Sequence, residues 1–123
     1  YSVTSFTELR REAMALQRAA RLGDPRSASW IEQQLPATGA PVVAASDYVS
    51  SVPDLIRPWI GDRYVVLGTD GFGRSDTRAA LRAFFEVDRR SIALAALEAV
   101  DPALAGRARD SWGLAVGVPP WAR

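Results

Sequence analysis

Apolar positions along this chain follow two patterns that alternate. In one, Leu9, Ala13, Leu16 and Ala20 recur at spacings of four, three and four, the stripe of an amphipathic helix. Arg10, Arg11, Arg18 and Arg21 lie off the stripe. Ser5 or Thr7 can cap this helix, Glu8 sits near its positive end, and Gly23-Asp24-Pro25 stops it. In the other pattern, continuous apolar runs have strand length. Pro41-Val42-Val43-Ala44-Ala45-Ser46 and Tyr64-Val65-Val66-Leu67 predict strands buried on both faces. Ser2-Val3-Thr4-Ser5-Phe6 alternates and predicts a third strand, or its second half.

Further helices fit between and after these runs. A short one over 29–35 is anchored by Trp30, Ile31 and Leu35, and a turn follows over 36–39. Ser51-Val52-Pro53-Asp54 opens another, with Leu55, Ile56, Trp59 and Ile60 as its apolar side. Pro58 weakens it and Gly61 closes it. The spacing predicts a helix over 77–86 with Leu81, Phe84 and Phe85 on one side. Asp88 then caps a helix over 89–100 that is apolar nearly all round, as expected for burial on more than one side against another domain or subunit. Asp101-Pro102 begins a last helix to about 110, and the tail over 112–123 has no clear period. Strands alternating with helices predict an α/β domain with a mainly parallel sheet. Three strands are few for such a sheet, so the amino-terminal part of the domain is expected to be missing.

A length of 123 residues fits one domain over 1–123. With 15 basic and 14 acidic residues the net charge is +1, which argues against a nucleic-acid module. No apolar run approaches the roughly 18 residues of a membrane span. There is no Cys, no His and no Lys; every basic residue is Arg. These absences exclude a disulfide framework and argue against a structural zinc site. Within this chain they also exclude Ser-His and Cys-His catalysis, a P-loop lysine and a Schiff base. Carboxylates, Tyr, Ser and Thr remain, so the chain does not read as a self-contained catalyst. A start at Tyr1 is expected of a piece of something longer.

The densest chemistry lies in Gly68-Thr69-Asp70-Gly71-Phe72-Gly73-Arg74-Ser75-Asp76, between an apolar strand and a helix. Such a loop falls at the carboxyl edge of a parallel sheet, where function often sits. In one interpretation Gly71 and Gly73 allow the turn, Phe72 plugs the core edge, and Ser75 or Asp76 caps the next helix. In another, free amides and Arg74 bind an anion, against the repulsion of Asp70 and Asp76. Gly71-Phe72-Gly73 also begins a GxGxxG pattern, but Asp76 stands where the third glycine belongs. Arg74, Arg78 and Arg82, four apart, can share a helix face that is either solvated or offered to an acidic partner surface. Asp47-Tyr48 follows the 42–46 strand at the same edge. Asp47 fits a cap or an interdomain hydrogen bond better than a general base, because no acid or nucleophile stands beside it.

Three segments resemble the carboxyl-terminal domain of the bacterial homodimeric pyruvate dehydrogenases. They are Tyr1-Ser2-Val3-Thr4-Ser5-Phe6-Thr7-Glu8-Leu9; Pro41-Val42-Val43-Ala44-Ala45-Ser46-Asp47-Tyr48; and the 68–76 loop followed by Leu81, Phe85-Glu86-Val87-Asp88 and Ala95-Ala96-Leu97. The resemblance spans about 1–100, and the 101–123 tail diverges. It implies a transketolase carboxyl-terminal fold, a three-layer α/β/α sandwich with one antiparallel edge strand, lacking here its first strand and helix. It implies a cytoplasmic parent enzyme that decarboxylates pyruvate on thiamine diphosphate with magnesium. That enzyme then acetylates the lipoyl group of its acyltransferase partner. Both cofactors would bind in preceding domains, with none held by this chain. The chain itself would be architectural, contacting those domains and a homodimer partner through Asp47, Tyr48 and the Asp70 to Asp76 loop. Arg78 and Arg82 would form a possible partner face, with neither nucleic acid nor membrane involved. A transketolase or another 2-oxoacid dehydrogenase, or a freestanding interaction module, are the alternatives.

Overall fold

The computed structural model describes residues 1–35, 38–115 and 117–122. Pro36 and Ala37, in the expected 36–39 turn, lie outside them. The elements run α1 (Phe6–Arg21), α2 (Trp30–Gln34), β1 (Val42–Ala45), α3 (Ser51–Asp54), α4 (Arg57–Ile60), β2 (Tyr64–Leu67), α5 (Arg78–Phe84), α6 (Arg89–Val100), α7 (Pro102–Ser111) and a 3-10 turn at Pro120–Ala122. The helix expected from Ser51 is two short helices. Leu55 and Ile56 break it, and Pro58 falls in the first turn of α4, where a missing N–H does no harm.

Side-chain caps set most of the helix starts. Ser5 accepts the Glu8 N–H, Thr77 the Ala80 N–H, and Asp88 and Asp101 each accept two N–H groups. The α5 cap is therefore Thr77, one residue beyond Asp76 and two beyond Ser75, the expected caps. At α2, Ser29 and Glu32 cap each other reciprocally: the Ser29 hydroxyl accepts the Glu32 N–H at 3.3 Å and the Glu32 carboxylate accepts the Ser29 N–H at 2.8 Å. That Ser29 N–H, against the opposing effect of burial and with help from the Ser29 hydroxyl and Arg26, holds the Glu32 carboxyl below its usual range.

Strands β1 and β2 pair in parallel, Val42 opposite Tyr64 and Ala44 opposite Val66. These four residues, alternate along their strands, face one side of the sheet. There they join Ile31, Ile56 and Ile60, with Phe6, Leu9, Leu35 and Trp59 packed around them. Helices α1, α2 and α4 thus cover that face. Helix α6 lies against β1 and α7 packs on α6. The expected α/β class with parallel strands is present.

Several local expectations are corrected. No strand forms over 2–6. Ser5 is committed to capping α1, and helical geometry brings Phe6 and Leu9 to the core together. The strands are not buried on both faces. Among the described residues the sheet has two strands, so each is an edge, and Ala45 is exposed. Trp30 is 55% exposed, and its neighbour Ile31 is the anchor of α2. Residues 92–97 of α6 are half-buried and none of its side chains is fully enclosed.

One polar knot fastens β2 to the helices before it. Tyr64 is 3% exposed and its hydroxyl donates to the Pro53 carbonyl at 2.9 Å. The Arg57 guanidinium lies 5.4 Å from the Tyr64 ring centroid. It donates to the Tyr64 carbonyl at 2.7 Å and to Asp54 at 2.6 Å. Burial, with the nearby Asp54 charge adding and Arg57 opposing, pushes the phenol up to about 12. Arg63 makes a second fastening, donating to the carbonyls of Leu35 and Ala40, each at 2.7 Å.

Two outcomes follow. Because the folded chain holds Tyr64 neutral above its ordinary pKa of 10.0, that contribution is whole below pH 10 and is lost as pH rises towards about 12. Tyr64→Phe should cost about 1 kcal/mol in urea denaturation at neutral pH and flatten the alkaline decline. At the end of α5, Val87 N–H bonds the Arg82 carbonyl and Glu86 N–H the Ala83 carbonyl, a Schellman turn with Glu86 at φ 58° where glycine is usual. Glu86→Gly should therefore stabilise the chain by about 1 kcal/mol, read as a rise in thermal midpoint.

Candidate functional site at the carboxyl edge of the sheet

Parallel strands finish at the same edge, so the loops after β1 and β2 emerge side by side. Here they are tied rung by rung. Ser46 N–H donates to the Leu67 carbonyl at 3.0 Å and Thr69 N–H to the Tyr48 carbonyl at 2.9 Å. The Thr69 hydroxyl donates to the Asp47 carbonyl at 2.8 Å, and Ser50 N–H to the Asp70 carboxylate at 2.9 Å. Between the last two rungs the backbones touch. A Cβ on Gly68 would stand 2.4 Å from the Ser50 nitrogen, so only glycine fits.

The loop's second close approach is to the tail. Gly71 has φ 114°, and a Cβ there would lie 2.9 Å from the Pro120 carbonyl oxygen and 3.1 Å from the Trp121 Cα. The 3-10 turn at Pro120–Ala122 is thus seated on the 68–76 loop, and Pro120 is buried. Nothing in the tail's own pattern signals this contact. Gly73, by contrast, has neither a left-handed φ nor a neighbour within 4 Å of its added Cβ. The expectation that Gly71 and Gly73 both serve the turn holds for Gly71 alone, and Gly68 supplies the close backbone approach.

Each expected site residue has a definite place. Asp70 braces the backbone of the neighbouring loop. Phe72 does not plug the core edge; it is 84% exposed. Arg74 turns back onto α5, its guanidinium 4.5 Å from the Phe84 ring centroid, and lies 3.8 Å from Asp76. Phe84 in turn meets Phe85 edge to face at 4.9 Å. Asp76 accepts the Thr77 N–H at 2.8 Å, and Ser75 is exposed. Asp47 is exposed and Tyr48 is 66% exposed. Arg78 and Arg82 are exposed on α5; Arg74 precedes that helix and does not continue their row. At this edge Asp70 and Asp76 accept backbone N–H groups, and Tyr48 and Phe72 face outward.

Two hollows lie away from this edge. One, of about 320 Å³, is lined by α1 and the Arg26 to Glu32 segment; the other opens beside α3 and α4.

Residues 1–88 match the transketolase-like TK C-terminal domain family. The chain belongs to that family. It is 44% identical to the pyruvate dehydrogenase E1 component of Pseudomonas aeruginosa over 123 aligned residues, covering 93% of this chain and 14% of the relative. It is 52% identical to the component of the same name from Cupriavidus necator over 99 residues, 78% of this chain and 11% of the relative. A third, from Mycolicibacterium smegmatis, is 38% identical over 91% of this chain and 13% of its own length. The chain therefore spans about an eighth of the relatives it matches. Its fold is the transketolase carboxyl-terminal fold, with helices about a parallel sheet. No helix among the described residues is long and apolar enough to cross a membrane. Nor do any three Asp or Glu side chains among them converge as a metal-binding group.

The two glycines separate in a stability measurement. Gly68→Ala should cost about 3 kcal/mol in urea denaturation, because backbone must move to admit one methyl group. Gly73→Ala should change stability by less than about 0.5 kcal/mol.

Proposed function

We propose that this chain is the carboxyl-terminal supporting domain of a pyruvate dehydrogenase E1 component. The whole enzyme would decarboxylate pyruvate with thiamine diphosphate and magnesium held on preceding domains. It would then pass the acetyl group to the lipoyl group of its acyltransferase partner. In this proposal the chain does no chemistry and binds neither cofactor. It packs on the preceding domains and on a second subunit, as part of a cytoplasmic homodimer. The observation that carries the proposal is likeness to E1 components across about an eighth of their length. That segment lacks His, Lys and Cys, and Asp70 and Asp76 at the sheet edge each accept a backbone N–H group.

The contact surface is the carboxyl edge. The interface residues are Asp47, Tyr48, Asp70, Gly71, Phe72, Gly73, Arg74, Ser75 and Asp76. Within it Asp70, Gly71 and Arg74 fix the loop's shape, while Tyr48 and Phe72 present aromatic surface outward, beside a Trp121 that is 63% exposed. Aromatic side chains left in water at one edge suit a buried contact.

A chimera tests this. The matching segment of the Pseudomonas aeruginosa E1 component is replaced by this chain, and assembly is read by sedimentation beside pyruvate oxidation. The chimera should retain both, and Tyr48→Glu with Phe72→Glu should lower both at least about tenfold. Unchanged assembly and activity in the double variant would overturn the interface. Calorimetric titration of thiamine diphosphate with magnesium into the 123-residue chain should give no binding heat; saturable binding would overturn the supporting role.

A further inference from the structure

Helices α1 and α2 carry charge in the sense a helix favours. Glu8 lies in the first turn of α1 with Arg18 and Arg21 in its last, and Glu32 lies in the first turn of α2. Helices α5 and α6 differ at their starts, although Arg82 in the last turn of α5 and the Asp88 cap of α6 keep the favoured sense. Neither has an acid in its first turn. Helix α5 opens on Arg78, and α6 on Arg89 and Arg90. Positive charge at a helix start opposes the macrodipole, so these arginines do not serve local stability. Departures of this kind, where nearby helices keep the rule, mark positions retained for another purpose.

Nor are they balanced by partners. Arg90 lies by the Asp88 carboxylate, which already accepts the Arg90 and Ser91 N–H groups and the Ser91 hydroxyl. Among the described residues, no ion pair or side-chain hydrogen bond engages the guanidinium of Arg78, Arg82 or Arg89, and all three residues are exposed. Glu86, four residues after Arg82, makes no ion pair with it. Arg74 is occupied by Phe84 and Asp76. Two of these arginines are neighbours. Arg78 and Arg82 are one turn apart on one face of α5. The Schellman bond from Val87 to Arg82, at 3.0 Å, ends α5, and Arg89 opens α6 beyond it.

We infer that Arg78 and Arg82 form a docking face for an acidic segment of a partner protein, whose carboxylates the guanidinium forks bind. Charge complementarity selects this occupant. The positive excess is local, because the chain as a whole carries only +1. Nucleic acid is disfavoured by that balance and by the stretch's aromatics, Phe84 and Phe85, which are half-buried and stacked on each other and on Arg74 rather than open to bases. Arginine rather than lysine suits paired hydrogen bonds to planar carboxylates. The inference rests on the proposed supporting role only in that the domain works inside a larger assembly, and it concerns a different face from the carboxyl edge.

Fluorescence anisotropy with a labelled oligoglutamate peptide tests it on the 123-residue chain. Binding should be saturable at low salt and weaken as salt rises. Arg78→Glu with Arg82→Glu should weaken it about tenfold or more, with circular dichroism unchanged because both side chains are exposed. Arg78→Gln with Arg82→Gln should fall between that variant and the parent. Hydrogen exchange with the unmodified chain should show peptide-dependent protection over 77–91, a readout independent of any substitution. Absence of saturable binding, a footprint elsewhere, indifference to charge reversal, or equal binding of an oligothymidine of matching charge would each overturn the inference. None of these results bears on the Tyr48 and Phe72 contact, which is read by sedimentation of the chimera.

Discussion

The backbone of Gly68 lies so close to that of Ser50 that no side chain could stand at position 68, and the rest of the carboxyl edge is arranged around that contact. Two parallel strands cannot be joined by a tight hairpin, so their exits need some other registration. The Ser46–Leu67 and Tyr48–Thr69 backbone bonds carry the pairing past the strand ends. The Asp70 carboxylate then closes it on Ser50 N–H. Once the loop is held there, Gly71 can turn and receive the tail, Arg74 can reach back to Phe84, and Phe72 is left pointing into water. The loop's acids thus act as braces. Its aromatic surface is a by-product of that bracing and is the part available to a neighbour.

A chain without lysine uses arginine in two distinct ways. Arg57 and Arg63 each serve several acceptors at once, tying β2 to the α3–α4 segment and the end of α2 to the start of β1. A guanidinium can do this because its donors are fixed in one plane and point in different directions. Arg78, Arg82 and Arg89 have no such acceptors, although the chemistry of the group is the same. The difference is position. The first set stands where carbonyls converge at a half-buried seam; the second stands on the solvent side of α5 and at the start of α6.

Local patterns were legible where cause and effect lie within a few residues. The α1 stripe, the Ser5, Asp88 and Asp101 starts, the Gly61 stop and both apolar strands all depend on short spacings, and they appear where the sequence puts them. The Ser29 and Glu32 capping box was equally local and its spacing was available, though only the extent of α2 was read from the residues. The strand expected over 2–6 failed because two local signals competed: alternation favoured extension, while the Ser5 cap and the joint burial of Phe6 and Leu9 favoured helix.

By itself the sequence determined the α/β class, the parallel strands, most helix boundaries to within a residue or two, and the absence of Cys, His and Lys. These follow from backbone periodicity and from composition, which do not depend on distant partners. Only the tertiary structure decided that Gly68 rather than Gly73 is sterically required, that Asp70 braces Ser50, that the tail seats on Gly71, and that Phe72 is exposed. Each of those depends on which remote backbone atom lies within a few ångströms. A one-dimensional pattern carries no such distance, because it is set by how the whole chain packs.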